Sequence, residues 1–288
     1  MNAPNMQNIG ASDRSIGAIL VDAGRLNAED AERIFRAQKE QGLRFGDAAV
    51  ALGLVSEADI QLALSRQFDY PYLHRGDSKV SETIVAAYQP FSPQVEALRA
   101  LRSQLMLRWF GAEVERKALA LVSPEQGEGR SWIAANLAVV FSQLGERTLL
   151  IDADLRAPSQ HRLFGMENRL GLSSILAGRG GPEAVQRVPE LVDLSVLPAG
   201  PTPPNPQELL ARPILAQTLA QLTASFDIVL IDTPPANKFA DATTIAVRAS
   251  GALILSRQDQ TRVNALRNLS ARLRDAGVVV AGSVLNGR

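Results

Sequence analysis

The residues best suited to bind phosphate lie in SPEQGEGRS (123–131), a run that joins an apolar segment to a helical one. A glycine-rich turn between a strand and a helix directs backbone N–H groups and the helix N-terminus toward phosphate groups. Gly127 and Gly129 allow the backbone to come close to a phosphate, and the Ser131 hydroxyl is placed to ligate Mg²⁺. This run indicates a nucleotide-binding loop, with an ordinary structural turn as the alternative.

The loop departs at two positions from the usual pattern GxxxxGK[ST]. Pro124 stands where the first glycine is expected, and Arg130 replaces the lysine. An arginine keeps the positive charge and pairs with phosphate oxygens as a planar fork. Nucleotide binding is therefore still expected, and the predicted nucleotide-binding residues are Gln126, Gly127, Glu128, Gly129, Arg130, Ser131 and Trp132.

Three aspartates follow apolar runs farther along the chain. IDADLR (151–156) contains Asp152 and Asp154, and FDIVLIDTPP (226–235) contains Asp232. Side chains at the carboxyl ends of buried parallel strands lie where ligands bind in open α/β sheets. Carboxylates in that position hold Mg²⁺ or accept a proton from a hydroxyl. Each aspartate alone fits a structural strand end, but together with the loop they predict a site for a nucleotide and Mg²⁺.

The elements that must position these residues follow from the apolar pattern. Short apolar runs alternate with helical stretches after Lys117, and their continuous apolarity is typical of parallel strands covered on both faces. The runs are 118–123, 148–152, 194–197, 228–232, 252–256 and 278–285. We predict an α/β fold with a doubly wound, mostly parallel sheet, preceded by a small all-α domain.

The N-terminal part contains an internal repeat, in which residues 15–38 align with 44–67. Each copy has a short apolar helix, a glycine, a polar N-cap residue and a second helix. The predicted domains are a helical repeat domain at 10–73, a linker at 74–84 and a P-loop domain at 85–288.

The composition excludes several classes of protein. The chain has 288 residues, 30 basic against 30 acidic side chains, and no cysteine. Disulfide scaffolds, thiolate zinc sites and cysteine nucleophiles are therefore excluded, and nucleic acid is not an expected partner. No apolar run reaches the ~20 residues of a membrane span, and no signal peptide is visible. We expect a soluble cytoplasmic protein that reaches a membrane only through a partner.

The motif order resembles that of the bacterial tyrosine kinases of exopolysaccharide and capsule export, which are relatives of septum-site and partition ATPases. The resemblance covers about Tyr88 to Asn286 and includes the proline-rich run LPAGPTPPNPQELL (197–210). In that family the loop and the two aspartate-ending strands are the Walker A, A′ and B motifs. The resemblance implies autokinase activity with ATP and Mg²⁺, and a membrane chain-length-determinant protein as partner at the inner membrane.

The resemblance also implies roles for the site residues. Asp152 would be the base for a tyrosine hydroxyl or a ligand of a Mg²⁺-bound water, with Asp154 and Arg130 as the other catalytic residues. The metal-binding residues would be Ser131, Asp152 and Asp232.

A further family motif, ExxRxxR, is formed by Glu96, Arg99 and Arg102 in the helix before the first strand. In the family this motif lies on the inter-subunit surface of a ring-like homo-oligomer. One acidic and two basic side chains on one helical face suit ion pairs between subunits. A solvated helix face with ion pairs within the helix is the alternative.

The N-terminal repeat resembles the domain that begins type II secretion and pilus-assembly ATPases, some of which bind cyclic di-GMP with two copies. The second copy retains Arg44, a residue type suited to phosphate and guanine edges, whereas the first has Ser15 at that position. The alternatives for this domain are cyclic di-GMP binding through Arg44 and docking of another protein.

The family usually has a tyrosine-rich C-terminal tail that neighbouring subunits phosphorylate, whereas the three tyrosines here are Tyr70, Tyr72 and Tyr88. A kinase acting on another protein or on an N-proximal tyrosine is one hypothesis. A non-kinase ATPase switch that gates assembly of the export machinery is the alternative. A partition-type, DNA-associated ATPase is disfavoured by the zero net charge and the proline-rich loop.

Overall fold

The computed structural model describes residues 15–67, 72–73, 75–76, 78–111 and 116–287. Tyr70 and the predicted outer domain limits, residues 10 and 288, lie outside this set.

The chain forms two compact units, Met1–Pro71 and Tyr72–Arg288. Within the described part of the chain, no helix is long and apolar enough to cross a bilayer.

Two helical hairpins form the first unit. Its helices are α1 (Ile16–Asp22), α2 (Ala28–Gln41), α3 (Phe45–Ala51) and α4 (Glu57–Gln67). Gly24 and Gly53 follow the short helices with the same φ of +66°, a left-handed conformation that favours glycine. Asn27 and Ser56 then accept hydrogen bonds from N–H groups three residues later, as N-cap residues do. The repeat that the sequence predicts is therefore also a structural repeat.

A seven-stranded sheet forms the centre of the second unit, in the order β3-β4-β2-β5-β1-β6-β7. All neighbouring pairs are parallel except β3 with β4. The strands are β1 (Ala118–Val122), β2 (Thr148–Asp152), β3 (Gln186–Arg187), β4 (Leu194–Leu197), β5 (Ile228–Asp232), β6 (Gly251–Arg257) and β7 (Val279–Asn286).

Apolar clusters pack on both faces of this sheet. The helices of the unit are α5 (Val85–Tyr88), α6 (Pro93–Leu105), α7 (Arg130–Ser142), α8 (Gln160–Leu163), α9 (Leu172–Leu176), α10 (Pro206–Ala211), α11 (Pro213–Ser225), α12 (Asp241–Ala249) and α13 (Val263–Asp275). Every residue of β1, β2 and β5 is buried, which explains why these strands have no polar alternation. The predicted α/β fold class is confirmed.

The segment predicted to be a linker, 74–84, is instead part of the second unit where it is described. Val80 and Ile84 are buried in the apolar cluster on one face of the sheet. The Ser81 N–H donates to the Leu163 carbonyl at 2.7 Å, and the Tyr88 hydroxyl donates to the Val80 carbonyl at 2.5 Å. The linker prediction was wrong here because two well-spaced apolar residues are enough to anchor a segment that shows no periodicity.

Candidate active site

The glycine-rich loop joins the end of β1 to the start of α7. Gly127 and Gly129 have φ values of +83° and +89°, which side-chain-bearing residues rarely adopt. The N-terminus of α7 has no side-chain cap, so its first N–H groups are available to an anion. A side chain at position 129 would also collide with the amide of Asn286. The loop therefore has the backbone conformation that a phosphate-binding turn requires.

The Arg130 side chain lies beneath the loop and is only 7% exposed. Its Nε donates to the Thr233 carbonyl and its Nη1 to the Glu125 carbonyl, both at 2.8 Å, and Nη1 also contacts the Ser123 hydroxyl. Burial lowers the pKa of Arg130, while the Asp232 charge opposes that shift. In this conformation Arg130 ties the loop to the ends of β1 and β5, and reaching a phosphate would require exchanging these bonds.

Asp152 and Asp232 stand side by side at the carboxyl ends of β2 and β5, where they are register partners. Both side chains are fully buried. Asp152 Oδ2 accepts from the Ser159 and Gln160 N–H groups at 2.8 and 2.9 Å, and its Oδ1 accepts from Asp154 N–H at 3.2 Å. Burial, followed by the neighbouring Asp232 charge, raises the pKa of Asp152. Burial also raises the pKa of Asp232. Two buried carboxylates in this arrangement favour a cation or shared protons.

Gln160 connects the two carboxylates, a role that sequence analysis missed. Its buried Nε2 donates to Asp232 Oδ2 at 2.8 Å and to the Ser131 carbonyl at 3.1 Å. Among the described residues, neither Gln160 Oε1 nor Asp232 Oδ1 has a well-aligned hydrogen-bond partner, although Ser131 lies near enough to lower the pKa of Asp232. Orphaned buried oxygens beside a hydroxyl are the ligand types that hydrated Mg²⁺ prefers, so these residues fit the metal.

Asp154 shapes the turn that follows β2. Its Oδ1 accepts from the N–H groups of Arg156 and Ala157, at 3.1 and 2.9 Å. The Arg156 guanidinium forms an ion pair of 2.8 Å with Asp241 and lies 3.9 Å from the centre of the Phe239 ring. The Asp154 charge lies close enough to contribute to the raised pKa of Asp152. The hydrogen bonds of Asp154 itself stabilise the turn.

Side chains from more distant segments anchor the loop. The buried Glu128 carboxylate accepts from the Glu125 N–H at 2.7 Å and contacts the Thr261 hydroxyl. The Arg257 guanidinium donates to the Gly127 carbonyl at 3.0 Å. Of the predicted nucleotide-binding residues, Glu128 therefore points into the protein and serves the loop rather than a ligand.

A cavity of about 230 Å³ borders the loop. It is lined by Gly127, Gly129, Trp132, Arg257 and Asn286. The structure thus brings together two predicted glycines and the predicted Trp132 with two residues that sequence analysis did not single out. Arg257 and Asn286 end β6 and β7, and the sheet order alone would have placed them here.

The ExxRxxR motif is divided between solvent and the interior. Glu96 is 75% exposed and pairs with Arg99 at 3.2 Å within α6. Arg102 Nη1 donates to the Val140 carbonyl of α7 at 2.7 Å. Only Glu96 of the motif is largely exposed, because the Arg99 side chain is 19% exposed and Arg102 fastens α6 to α7.

In the first unit, Arg44 is exposed at the start of α3 and makes no capping hydrogen bond.

The family that matches residues 114–286 is ParA, described as NUBPL iron-transfer P-loop NTPase. Tyrosine-protein kinase YwqD of Bacillus subtilis (strain 168) is 33% identical over 73% of this chain and 88% of that protein. The putative tyrosine-protein kinase CapB of Staphylococcus aureus is 34% identical over 73% of this chain and 92% of its own length. The kinase domain of the Escherichia coli tyrosine kinase ETK superposes with a TM-score of 0.69 at 32% identity, covering 75% of this chain and 82% of that domain. This chain belongs to the bacterial tyrosine-protein kinases, within the ParA-type P-loop NTPases.

Proposed function

We propose that this protein transfers the γ-phosphoryl group of ATP to tyrosine hydroxyls and thereby regulates exopolysaccharide polymerisation and export. The observation that carries the proposal is the buried pair Asp152 and Asp232 beside an uncapped helix N-terminus. Phosphoryl transfer requires mainly positioning and charge neutralisation, and this arrangement offers both.

The contacts of the residues support the following roles. The N–H groups of the loop and of the start of α7 would bind the phosphates, and Ser131 and Asp232 would hold Mg²⁺ with Asp152 beside them. When bound, Mg²⁺ neutralises charge on the phosphate oxygens. Asp152 would accept the proton of the tyrosine hydroxyl at Oδ1, whose one hydrogen bond from the described residues is long, at 3.2 Å. Its raised pKa suits a base that works near neutral pH.

Arg130 and Asp154 act by positioning in this proposal. Arg130 fixes the loop through carbonyl contacts and neutralises part of the carboxylate charge. Asp154 fixes the turn that presents the Ser159 and Gln160 N–H groups to Asp152.

We further propose a cytoplasmic location at the inner membrane, through a membrane chain-length-determinant partner. The family relationship supports this assignment. Contacts between subunits would use the exposed Glu96 with Arg99, and the exposed Arg44 would contact cyclic di-GMP if the first unit binds it.

A non-kinase switch is the second candidate. It is favoured by Tyr88, which is buried and donates its hydroxyl to the Val80 carbonyl, so this tyrosine is a poor phosphate acceptor in the folded protein. In that case ATP would control assembly and hydrolysis would reset it.

Incubation with γ-labelled ATP, followed by phosphoamino-acid analysis, distinguishes the two candidates. The assay contains the protein alone or with a synthetic tyrosine-containing copolymer. Labelled phosphotyrosine in either reaction supports the kinase. Release of labelled phosphate without any phosphotyrosine supports the switch and contradicts the kinase.

A further inference from the structure

A second cavity, here called the arginine pocket, lies between α9, the proline-rich loop and α10. Its volume is about 630 Å³. Its main lining residues are Arg169, Ser173, Arg179, Pro203, Leu209 and Arg212. None of these residues contributes to the nucleotide site described above.

The proline-rich loop that lines the arginine pocket begins at the edge of the sheet that also presents Asp152. Strand β4 lies next to β2, with Leu197 paired to Ile151, so the next residue, Pro198, follows alongside Asp152. The carbonyls of Pro198 and Ala199 accept from the first N–H groups of α9, both at 2.8 Å. The proline-rich loop and α9 are thus held together directly beside the carboxylate pair.

The rim of the pocket is strongly basic. Arg169, Arg179 and Arg212 are all exposed. Arg169 contacts Glu167 at 3.5 Å across solvent, and Arg212 donates to the Leu176 carbonyl at 3.3 Å. These contacts use few of the five N–H donors that each guanidinium carries, so most donors remain for a ligand.

The walls of the pocket are apolar and rigid. Pro203, Pro204 and the buried Leu209 provide ring and methyl surface, and the Ser173 hydroxyl fixes the loop by donating to the Pro201 carbonyl at 2.8 Å. Apolar walls below a guanidinium rim complement a peptide that has an aromatic residue among carboxylates.

We propose that the arginine pocket docks the acceptor segment and selects tyrosines flanked by acidic residues. This inference rests on the proposed kinase function and adds the chemistry of its protein substrate. The acidic flanks bind the three guanidinium groups, and the segment then extends along the sheet edge toward Asp152.

The test compares the parent with a triple variant, Arg169→Ala, Arg179→Ala and Arg212→Ala. The matched control carries alanine at three exposed arginines of α12 and α13, namely Arg248, Arg267 and Arg274. The probes are a fluorescent tyrosine peptide flanked by glutamates and the same peptide with glutamines.

We expect the triple variant to raise the KM for the glutamate peptide about tenfold, because each exposed ion pair contributes modestly and three act together. The KM for ATP, the kcat and the weak use of the glutamine peptide should stay at parental values. The control variant should match the parent. Added salt should weaken binding of the glutamate peptide by the parent and by the control variant but not by the triple variant, because salt screens the ion pairs that only the first two proteins can form.

Fluorescence anisotropy of the same peptides separates this inference from the kinase proposal. If the parent binds the glutamate peptide more tightly than the triple variant does, the pocket is supported even without transfer. If the parent phosphorylates the glutamate peptide but the triple variant has the same KM and affinity, the pocket is excluded and the kinase proposal stands. Arg179→Ala alone should shift affinity in the same direction without affecting folding, because this exposed side chain makes no hydrogen bond or ion pair within the described residues.

Discussion

Replacing Asp232 with asparagine should stabilise the metal-free protein at alkaline pH, although it removes a residue that the site needs. Asp232 and Asp152 are buried register partners on neighbouring strands. Strands lie about 5 Å apart, and two charges at that distance repel by about 3 kcal/mol at an effective dielectric constant of about 20. Arg130 offsets part of this repulsion. Asparagine can still accept the hydrogen bond from Gln160 with its own oxygen.

The net gain should be about 1–3 kcal/mol, which corresponds to about 2–12 °C in the Tm of a domain of this size. The direction of the pH dependence of stability follows from the raised pKa values of both carboxyls. A raised carboxyl pKa means that the folded state holds protons that the unfolded state has released, so stability falls as pH rises above about 4. The gain from Asp232→Asn should therefore be large near about pH 8 and small near about pH 5.

The assay is thermal unfolding in EDTA at these two pH values. Asp227→Asn is the control, because Asp227 forms an exposed ion pair of 2.7 Å with Arg147 that lowers its pKa. That variant should lose a little stability at both pH values, since a depressed carboxyl pKa contributes stability throughout this range. An equal loss of stability at both pH values in Asp232→Asn would refute the inferred repulsion.

The remaining predictions concern the residues that support the site. Gln160→Met should raise the Mg²⁺ concentration needed for ATP hydrolysis by about ten- to hundredfold, because a hydrogen bond to a charged group is lost. An unchanged Mg²⁺ titration would exclude the positioning role of Gln160. Arg130→Ala should weaken binding of a fluorescent ATP analogue and also lower the Tm, because it leaves the carbonyl oxygens of Glu125 and Thr233 without their donor. Arg130→Lys should bind ATP nearly as the parent does. Tyr88→Phe should cost about 1 kcal/mol of unfolding free energy without reducing phosphotyrosine yield, and a lost phosphotyrosine signal would make Tyr88 an acceptor after all.

The strands and the glycine-rich loop could be predicted from the sequence because continuous apolarity and glycine spacing are local signals. Strands β1, β2 and β5 coincide with predicted runs, and their terminal aspartates meet as parallel topology requires. The two-residue β3 was missed because it has no apolar run.

The support around the site could not be predicted, because it depends on contacts between residues far apart in the chain. Gln160 contacts a residue 72 positions away, and Glu128 contacts one 133 positions away. The placement of Arg130 beneath the loop is a further example, since position in a motif does not determine where a long side chain points.

If the carboxylate pair serves transfer to tyrosine, ATP turnover and tyrosine phosphorylation must depend on Asp152 together. ADP release and phosphotyrosine formation are followed together with γ-labelled ATP and a tyrosine-containing acceptor, for the parent, Asp152→Asn and Asp227→Asn. We expect matched ADP and phosphotyrosine yields for the parent and for Asp227→Asn. Asp152→Asn should stay folded and bind ATP but form almost no phosphotyrosine. Parental phosphotyrosine formation by Asp152→Asn would show that Asp152 is not the base.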